Sequence, residues 1–455
     1  MTVKALMPVR NLNLVVPLAH EATAMRTTET AARVQARPGA VTRLIGESLR
    51  PGDVDSTTVA RTPGTRTSTT ATRTTTTRAM RAEPSPSADP DLFEQLVRAY
   101  LDCRRTKRTS ASALAFEQHL ERNLCDLHDE LASGAYRPGR SICFVVTHPR
   151  PREVWAAEFR DRVVHHLLYN RIAPRFHAAF IADSCACIPG RGTLYAARRL
   201  EHHVRSQTAN WSRPAHYLKC DLANFFVSID KHVLAGQLAR RIDGQAEAWW
   251  LQLARTILFH DPRANVCIRG AHKLLELVPP HKSLFNAPAD TGLPIGNLSS
   301  QFFANVLLDD LDQFVKHRLQ VRHYVRYVDD FVLLGNAAGE LNQALASIEA
   351  FLPQLGVRLN PRKTVLQPVA RGIDFVGHLV KPWRRITRRR TVAAALQRVE
   401  RAPAAELWQT ANSYFGLLRQ ATHSHGDRAR LANAIRRRGK AVKADLTKTY
   451  PGSAK

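Results

Sequence analysis

The sequence lacks several patterns that would place a chain of 455 residues in a class at once. Its seven cysteines are odd in number and include no Cys-x-x-Cys pair, which argues against a disulfide framework or zinc finger and favours reduced thiols. No apolar run reaches the roughly 18 residues that a membrane-spanning helix needs. Arg and Glu interrupt every apolar run of the first thirty residues, so we expect no signal peptide there.

Acidic residues are also scarce, because 39 Asp and Glu stand against 66 Lys and Arg. The formal charge is +27 and the pI is about 10.6. Such an excess repels itself in a compact protein, so it usually serves a polyanionic partner. Residues 381–455 hold 18 of the basic residues and only 4 acidic ones. Nucleic acid is the first candidate partner and an anionic membrane surface the second; a solvated charged face is the alternative for the C-terminal segment.

Residues 1–90 differ in composition from the rest of the chain. The stretch from Thr57 to Arg81 is mostly Thr, Arg, Ser and Ala, with almost no large apolar residue. Such a segment cannot bury enough apolar surface to offset the entropy of ordering, which predicts disorder. An organelle transit peptide and a start codon assigned too early are alternative origins, and we interpret the segment as a dispensable extension.

From residue 91 onward the pattern mixes helices and strands without regular βαβ alternation, which is typical of an α+β fold. Helical periodicity predicts helices over 153–172, 194–206, 230–242, 296–319 and 337–354, and basic helices over 391–447. Strand patterns occupy 141–147, 216–222, 322–335 (two strands), 364–369 and 373–380. Pro174 should end or kink its helix, and residues 245–290 are expected to be helical and then irregular.

Two adjacent carboxylates, Asp329 and Asp330, stand between two stretches rich in strand-forming residues. They belong to the sequence Tyr-Val-Asp-Asp at 327–330. Two acids at a tight turn repel each other, and a bound cation would relieve that repulsion; magnesium prefers such oxygen ligands. An Asp-Asp pair that merely forms the turn is the alternative, but apolar strands on both sides make the functional interpretation more specific.

A third carboxylate, Asp221, ends the apolar strand predicted at 216–222. Burying an acid there without a partner is expensive, so it is expected to contribute to a site. Two-metal phosphoryl transfer needs carboxylates from separate segments to hold two ions roughly 3.5–4 Å apart. We therefore predict Asp221 and Asp329 as bridging ligands with Asp330 in support. Phe226, five residues after Asp221, could pack against a sugar and exclude a 2′-hydroxyl, or could simply belong to the core.

These two elements resemble motifs A and C of reverse transcriptases, and further segments in the same order resemble other motifs of that family. Residues 292–301 (GLPIGNLSSQ) resemble motif B, 355–364 motif D, 375–378 (FVGH) the primer-grip strand, and 414–418 the helical thumb. Residues 150–153, 159–162 and 183–193 resemble the fingers. The resemblance implies an RNA-directed DNA polymerase with the right-hand fold.

The resemblance also implies roles for individual residues. The implied metal ligands are Asp221, Leu222, Asp329 and Asp330, for two Mg²⁺ ions, with Mn²⁺ as a substitute. Substrate contacts are implied for Phe226, Arg150, Arg152, Ile295, Gly296 and Gln301. Nucleic-acid contacts are implied for Gly190, Arg191, Gly192, Gly377 and His378. Lys363 is the candidate proton donor to pyrophosphate and hence a fourth catalytic residue; a surface lysine, and a surface charge for each single arginine, are the alternatives.

The expected organisation follows from the same resemblance. Residues 1–90 form the extension, 91–215 the fingers, 216–380 the palm with the insertion at 245–290, and 381–455 a basic helical thumb. The expected partners are a template RNA, a nucleic-acid primer and deoxynucleoside triphosphates, in the cytoplasm of a prokaryotic cell and without a membrane.

Within the family, the chain resembles the prokaryotic, group II intron-like lineage, and most of all the enzymes of diversity-generating retroelements. Ile295-Gly296 followed by Ser300-Gln301 carries that resemblance, as does the run from Gln301 to His317. Those enzymes copy a template-repeat RNA with errors at adenines, together with a small basic accessory protein. The alternatives are an anti-phage defence reverse transcriptase and a catalytically idle RNA-binding scaffold; the presence of all three carboxylates argues against the scaffold.

Overall fold

In the computed structural model, residues 89–105, 107, 110–147 and 150–451 are described, and they belong to one compact unit. The predicted extension at 1–90 therefore lies almost wholly outside the described residues. The predicted fingers contain α1 (Leu92–Arg105), α2 (Ala111–Glu117), α3 (Leu120–Ala132), β1 (Ser141–Val146), β2 (Arg152–Ala157), α4 (Phe159–Ala179) and α5 (Thr193–Gln207).

The start predicted for the helix at 153–172 was wrong. Residues Arg152–Ala157 form β2, which pairs antiparallel with β1, and the helix begins only at Phe159. Five consecutive residues of β2 are buried, so the strand shows no alternation that would distinguish it from a buried helix. Pro174 does not end α4, which continues to Ala179.

The predicted palm contributes most of the remaining elements. In chain order they are β3 (His216–Asp221), α6 (Phe225–Ser228), α7 (Lys231–Arg241), α8 (Ala248–Phe259), β4 (Val266–Arg269), α9 (Lys273–Glu276), α10 (Leu298–Gln313), β5 (Tyr324–Tyr327), β6 (Asp330–Gly335), α11 (Ala338–Phe351), β7 (Val365–Pro368), β8 (Ile373–Phe375) and β9 (His378–Lys381). The long helix predicted at 296–319 is α10 followed by a π-helical turn, Phe314–Arg318.

The central sheet has four strands in the order β5-β6-β3-β7, and all its pairs are antiparallel. Alternate residues face opposite sides of a strand. Leu218 and Cys220 accordingly pack into the large core with the helices, whereas Tyr217 packs with α5 and the β8–β9 hairpin on the other face. Both faces of the sheet are therefore covered by other elements, so a functional site is expected at the ends of the strands.

The insertion at 245–290 begins with the helix α8, as predicted, and the part predicted to be irregular also contains a strand. Its strand β4 pairs in parallel with β1, so the three-stranded fingers sheet has the order β2-β1-β4. Leu284 packs against Cys143 and Trp155 of that sheet. The insertion is thus attached to the predicted fingers, although it lies within the palm segment of the sequence.

The C-terminal segment forms a short sheet followed by three helices. Strand β10 (Arg384–Thr387) pairs with β9, and then come α12 (Arg389–Arg401), α13 (Leu407–Leu418) and α14 (His425–Arg437). The three helices share their own apolar core, which includes Val399, Phe415 and Ile435. No helix in the described part of the chain is long and apolar enough to cross a membrane. All seven cysteines are free thiols.

Candidate active site

Asp221 and Asp330 lie side by side on the central sheet. They are direct partners in the antiparallel register of β3 and β6. Residues at intervals of two share a face, so Asp221 lies on the face of Tyr217 and Lys219, while Asp330 lies on the face of Val332. Directly opposed side chains have Cβ atoms about 4.5–5.5 Å apart. The register therefore brings two carboxylates together on one face, at the end of both strands.

The third carboxylate, Asp329, lies in the two-residue turn that joins β5 to β6. Such tight hairpin turns require positive φ, which is normally supplied by Gly or Asn. Here Val328 adopts it, with φ of 55°, and a β-branched residue is strained in that conformation. The backbone carbonyl of Asp329 accepts a hydrogen bond from the Leu222 amide at 3.2 Å. The strained turn is thereby attached to the end of β3 beside Asp221.

Two lysines neutralise two of these carboxylates. The Nζ atom of Lys363 lies 2.7 Å from both Oδ1 and Oδ2 of Asp221. The Nζ atom of Lys219 lies 3.2 Å from Oδ2 of Asp330 and donates to the carbonyl of Asp374 at 2.8 Å. Lys363 reaches the site because its short 3-10 turn follows Asn360, whose amide donates to the Asp221 carbonyl at 2.8 Å.

Among the described residues, none forms an ion pair with Asp329. Burial, together with the negative charges of Asp221 and Asp330, raises the pKa of Asp329 to about 6. Burial also raises the pKa of Asp330, which Lys219 partly offsets. The three carboxylates therefore repel one another within a poorly solvated site, which is the condition that a divalent cation relieves.

The donor set fits hard cations such as magnesium, because all three groups offer carboxylate oxygens. Within the described ranges, however, no group of three or more His, Cys, Asp or Glu side chains is arranged so that it could hold a metal ion. Lys363 instead lies within hydrogen-bond distance of both carboxylate oxygens of Asp221. Asp221, Asp329 and Asp330 are the residues that would hold a metal; Leu222 contributes its backbone beside them.

Sequence reasoning missed the group that holds the turn in place. Arg326 is fully buried, and all five of its N–H donors have acceptors. It donates two hydrogen bonds to Asp312, at 2.7 and 2.6 Å, and one each to the Val328 carbonyl at 3.1 Å, Asn305 at 3.1 Å and Ser184 at 2.9 Å. Arg326 thus joins the Asp-Asp turn to α10 and the fingers loop. The available signal was an arginine within an otherwise apolar strand.

The motif B loop lies against strand β2. The Ile295 carbonyl accepts a hydrogen bond from the Trp155 amide at 2.7 Å. Gly296 has φ of 131°, and a Cβ there would come within 2.5 Å of the Trp155 carbonyl oxygen, so only glycine fits. On the other side, the Leu293 amide donates to the Phe226 carbonyl at 2.7 Å. The loop therefore joins Phe226 to the fingers sheet.

The remaining predicted substrate residues lie around this loop. Arg150 and Arg152 are exposed at the beginning of β2. Gln301 is half-buried in the first turn of α10.

Arg191, which the sequence predicts to contact nucleic acid, is hydrogen-bonded to the loop that precedes it. One terminal nitrogen of Arg191 donates to the carbonyls of Ile181 and Ser184, both at 2.7 Å. The guanidinium is therefore already engaged in bracing its own loop. Gly190 and Gly192 lie beside it, ahead of α5.

Gly377 and His378, which the sequence predicts as nucleic-acid contacts in a primer-grip hairpin, differ in their exposure. Gly377 lies in the turn between β8 and β9, with open space where a Cβ would be. His378 is fully buried, and burial together with the charge of Arg385 lowers its pKa to about 4. The neutral, buried His378 ring does not face a surface that nucleic acid could contact.

Comparison with known proteins agrees with this arrangement. The family model described as "Reverse transcriptase (RNA-dependent DNA polymerase)" matches residues 148–380, just over half of the chain. The chain belongs to the reverse transcriptase family. The match includes all three carboxylates, the motif B loop and Lys363. The predicted α+β fold is confirmed: it is the right-hand fold of this reverse transcriptase family, with fingers, palm and helical thumb.

Individual relatives of this reverse transcriptase are distant. Protein YkfC of Escherichia coli strain K12 is 25% identical over an alignment of 323 residues, and the match covers 62% of this chain and 77% of YkfC. The structure of apo telomerase from Candida tropicalis, truncated from the C-terminal domain, matches with a TM-score of 0.38 and 11% identity, over 53% of each chain. Telomerase from Candida albicans, in complex with a TWJ fragment of telomeric RNA, matches with a TM-score of 0.40 and 12% identity, over 66% of this chain and 60% of the telomerase.

Proposed function

We propose that this protein is an active RNA-directed DNA polymerase that extends a primer along an RNA template. The observation that carries the proposal is the juxtaposition of Asp221 with Asp330 on adjacent strands, beside Asp329 in a strained turn. A merely structural acid pair would not need three carboxylates that repel one another in one place. A degenerate scaffold would have no reason to retain them.

The chain's own residues would position the reactants, which is the main source of catalysis in nucleotidyl transfer. Asp221, Asp329 and Asp330 would hold two divalent ions, Mg²⁺ or Mn²⁺, and these ions would activate the primer 3′-hydroxyl and neutralise the leaving pyrophosphate. Phe226 is held by its carbonyl to the motif B loop, so its half-buried ring can contact the sugar of the nucleotide. Lys363 would move from Asp221 to the pyrophosphate and donate a proton there.

The basic thumb would hold the product duplex. Helix α12 exposes four arginines along its length: Arg389, Arg390, Arg398 and Arg401. Contacts from such side chains to phosphates fix the position of a duplex without reading its sequence. This arrangement suits an enzyme that must slide along any template.

The finer assignment concerns the biological setting. The motif B sequence around Ile295-Gly296 and Ser300-Gln301 favours an error-prone enzyme of a diversity-generating retroelement in a prokaryotic cytoplasm, working with a small basic accessory protein. A defence-associated reverse transcriptase is the second candidate, because such enzymes share much of this pattern. Neighbouring genes separate them: a repeat pair ending in a variable gene supports the retroelement, and a lone gene in a defence island contradicts it.

The polymerase proposal is tested by primer extension on an RNA template, with one of the four deoxynucleotides omitted in turn. A templated enzyme should stop one position before the omitted base each time. Primer extension past the position of the omitted deoxynucleotide would contradict templated synthesis. Sequencing the full product then tests for errors at adenines. Extension that requires the candidate accessory protein would still support the proposal, whereas none with or without it, on several RNAs, would contradict it.

A further inference from the structure

The insertion at 245–290 is hydrogen-bonded to strand β2 through a buried carboxylate of that strand, Glu153. Glu153 is 4% exposed and lies on β2 directly after Arg152. Its Oε2 atom accepts hydrogen bonds from the Leu284 amide at 2.9 Å and from Nε1 of Trp155 at 3.0 Å. A buried charge is retained only where it is well hydrogen-bonded. Glu153 therefore attaches the insertion firmly to the strand that also carries Arg152.

The segment around Leu284 is held from both sides. Phe285 packs on Trp155 with ring centroids 4.7 Å apart. Arg263 donates to the Ala287 carbonyl at 2.6 Å. Lys282 ends the 3-10 turn Pro280–Lys282, two residues before Leu284, and its amide donates to the Pro279 carbonyl at 2.8 Å. The backbone that carries Lys282 is thus fixed relative to β2 and to the motif B loop.

Lys282 lies among other cations, because the hydrogen bond from the Leu284 amide to Glu153 attaches its turn beside Arg152 on β2. Burial lowers the pKa of Lys282, and the positive charges of Lys363, Arg150 and Arg152 lower it further, whereas Asp221 raises it. In the described part of the chain, no ion pair is formed by Arg150, Arg152 or Lys282. The positive charges of these side chains repel one another, and a compact polyanion is the partner that relieves such repulsion.

We propose that Lys282 is a nucleotide-binding residue: together with Arg150, Arg152 and Lys363 it encloses the triphosphate of the incoming deoxynucleotide, so that the insertion forms one wall of the nucleotide site. This inference rests on the proposed polymerase function. Arginines match phosphate oxygens as planar forks, whereas lysine adds a compact point charge that can follow a moving phosphate. The insertion thereby acquires a role that its irregular sequence did not reveal.

The test compares Lys282→Glu and Lys282→Arg with the wild type and with Lys273→Glu, a charge reversal at an exposed position of the same insertion. Steady-state primer extension at fixed free Mg²⁺ gives kcat and KM for the deoxynucleotide. Lys282→Glu should raise KM at least about tenfold, the effect of removing one charge-assisted hydrogen bond, with a smaller change in kcat. Lys282→Arg should restore most of the affinity, and Lys273→Glu should match the wild type.

A second readout uses inorganic tripolyphosphate as a competitive inhibitor, because it shares the polyphosphate but not the base or sugar. Lys282→Glu should weaken this inhibition by the same factor as it raises KM. Equal KM and inhibition constants in Lys282→Glu and Lys273→Glu would overturn the inference while leaving the polymerase intact. Weaker RNA binding with an unchanged KM would also overturn it, since Lys282 would then contact the template. Absence of extension by the wild type would instead reject the proposed function itself.

Discussion

The Nζ atom of Lys363 is equidistant, at 2.7 Å, from the two carboxylate oxygens of Asp221. An ammonium group therefore occupies the oxygens that a metal would need, and the lysine must leave before a metal can bind Asp221 fully. The lysine is exposed on its outer side, so it is free to move. Its removal should therefore affect both proton transfer and metal binding.

Lys363→Met should lower kcat by roughly 10²-fold, the usual loss for a general acid, and should also lower the Mg²⁺ concentration needed for half-maximal binding. The first effect arises because no proton donor remains, and the second because nothing competes for Asp221. Extension kinetics and a Mg²⁺ titration by intrinsic fluorescence measure the two. Arg362→Met, at the exposed neighbouring position, is the control. Weaker Mg²⁺ binding in Lys363→Met would refute the competition.

The raised pKa of Asp329 predicts a pH dependence of stability in the absence of metal. A carboxyl group with a pKa of about 6 in the folded state, against 3.8 unfolded, binds its proton more tightly when folded. Its contribution is fully present below about pH 4 and is lost as the pH rises through about 6, a loss of at most about 3 kcal/mol. Asp330, whose pKa is also raised, acts in the same direction.

Asp329→Asn removes this titration without changing the shape of the side chain. In EDTA, the melting temperature of the variant should exceed that of the wild type at pH 7.5, and the difference should shrink towards pH 4.5. Thermal melts across this range measure it. A difference that stays constant with pH would mean that Asp329 is solvated and ionised like an ordinary surface carboxylate.

The buried pair of Arg326 and Asp312 should be essential for the stability of the palm. Arg326→Met leaves Asp312 in the core without its cationic partner, although the Tyr324 hydroxyl still donates to it, and this costs about 3–5 kcal/mol. Arg240→Met removes a partner of the neighbouring Asp310 at a site where the arginine is 64% exposed, and should cost no more than about 1 kcal/mol. Urea unfolding compares them. Equal midpoints would show that the Arg326 network does not hold the turn.

The double variant Arg326→Met with Asp312→Leu refines that comparison. Replacing both partners by apolar groups removes the uncompensated charge, so it should be more stable than Arg326→Met alone. Its polymerase activity should nevertheless stay low, because the Val328 carbonyl and the strained turn no longer have their donor. Full activity would mean that the turn holds its conformation unaided.

The thumb arginines should determine much of the salt dependence of nucleic-acid binding. Replacing Arg390, Arg398 and Arg401 by Ala should reduce the slope of log K against log salt by roughly 0.9 for each duplex phosphate that the thumb no longer neutralises. A matched triple, Arg98, Arg105 and Arg122 to Ala, removes the same charge from exposed positions of the helices α1 and α3. Equal slopes in the two triples would contradict the placement of the duplex on α12.

The sequence was sufficient to place the three carboxylates at strand ends, because the strand patterns that surround them are local features of the sequence. Asp221 ends an apolar strand, and Asp329 and Asp330 stand between two others, so strand patterns alone place them at strand ends. That Asp221 faces Asp330 depends on the register, which the sequence left open. The sequence predicted Asp221 and Asp329 as bridging ligands with Asp330 in support, and the strand register shows that Asp330 is the direct partner of Asp221.

Other features depend on interactions between distant segments and could not be predicted. Strand β2 is buried along almost its whole length, which removes the alternation that identifies a strand. Strand β4 joins β1 across a long stretch of sequence, with Ser141 opposite Val266. His378 follows a glycine turn that resembles a binding element, but its ring is buried. In each case the structure depends on contacts with residues distant in the sequence, which a local sequence pattern does not contain.

The most direct test of the central claim is single-turnover primer extension on a defined RNA template, comparing the wild type with Asp329→Asn and with Asp126→Asn, an exposed control in α3. All three proteins should bind the primer–template with similar affinity in EDTA. With Mg²⁺ and deoxynucleotides, the wild type and Asp126→Asn should extend the primer, and Asp329→Asn should leave it unextended. Extension by Asp329→Asn at the wild-type rate would contradict the assignment of this turn as the catalytic centre.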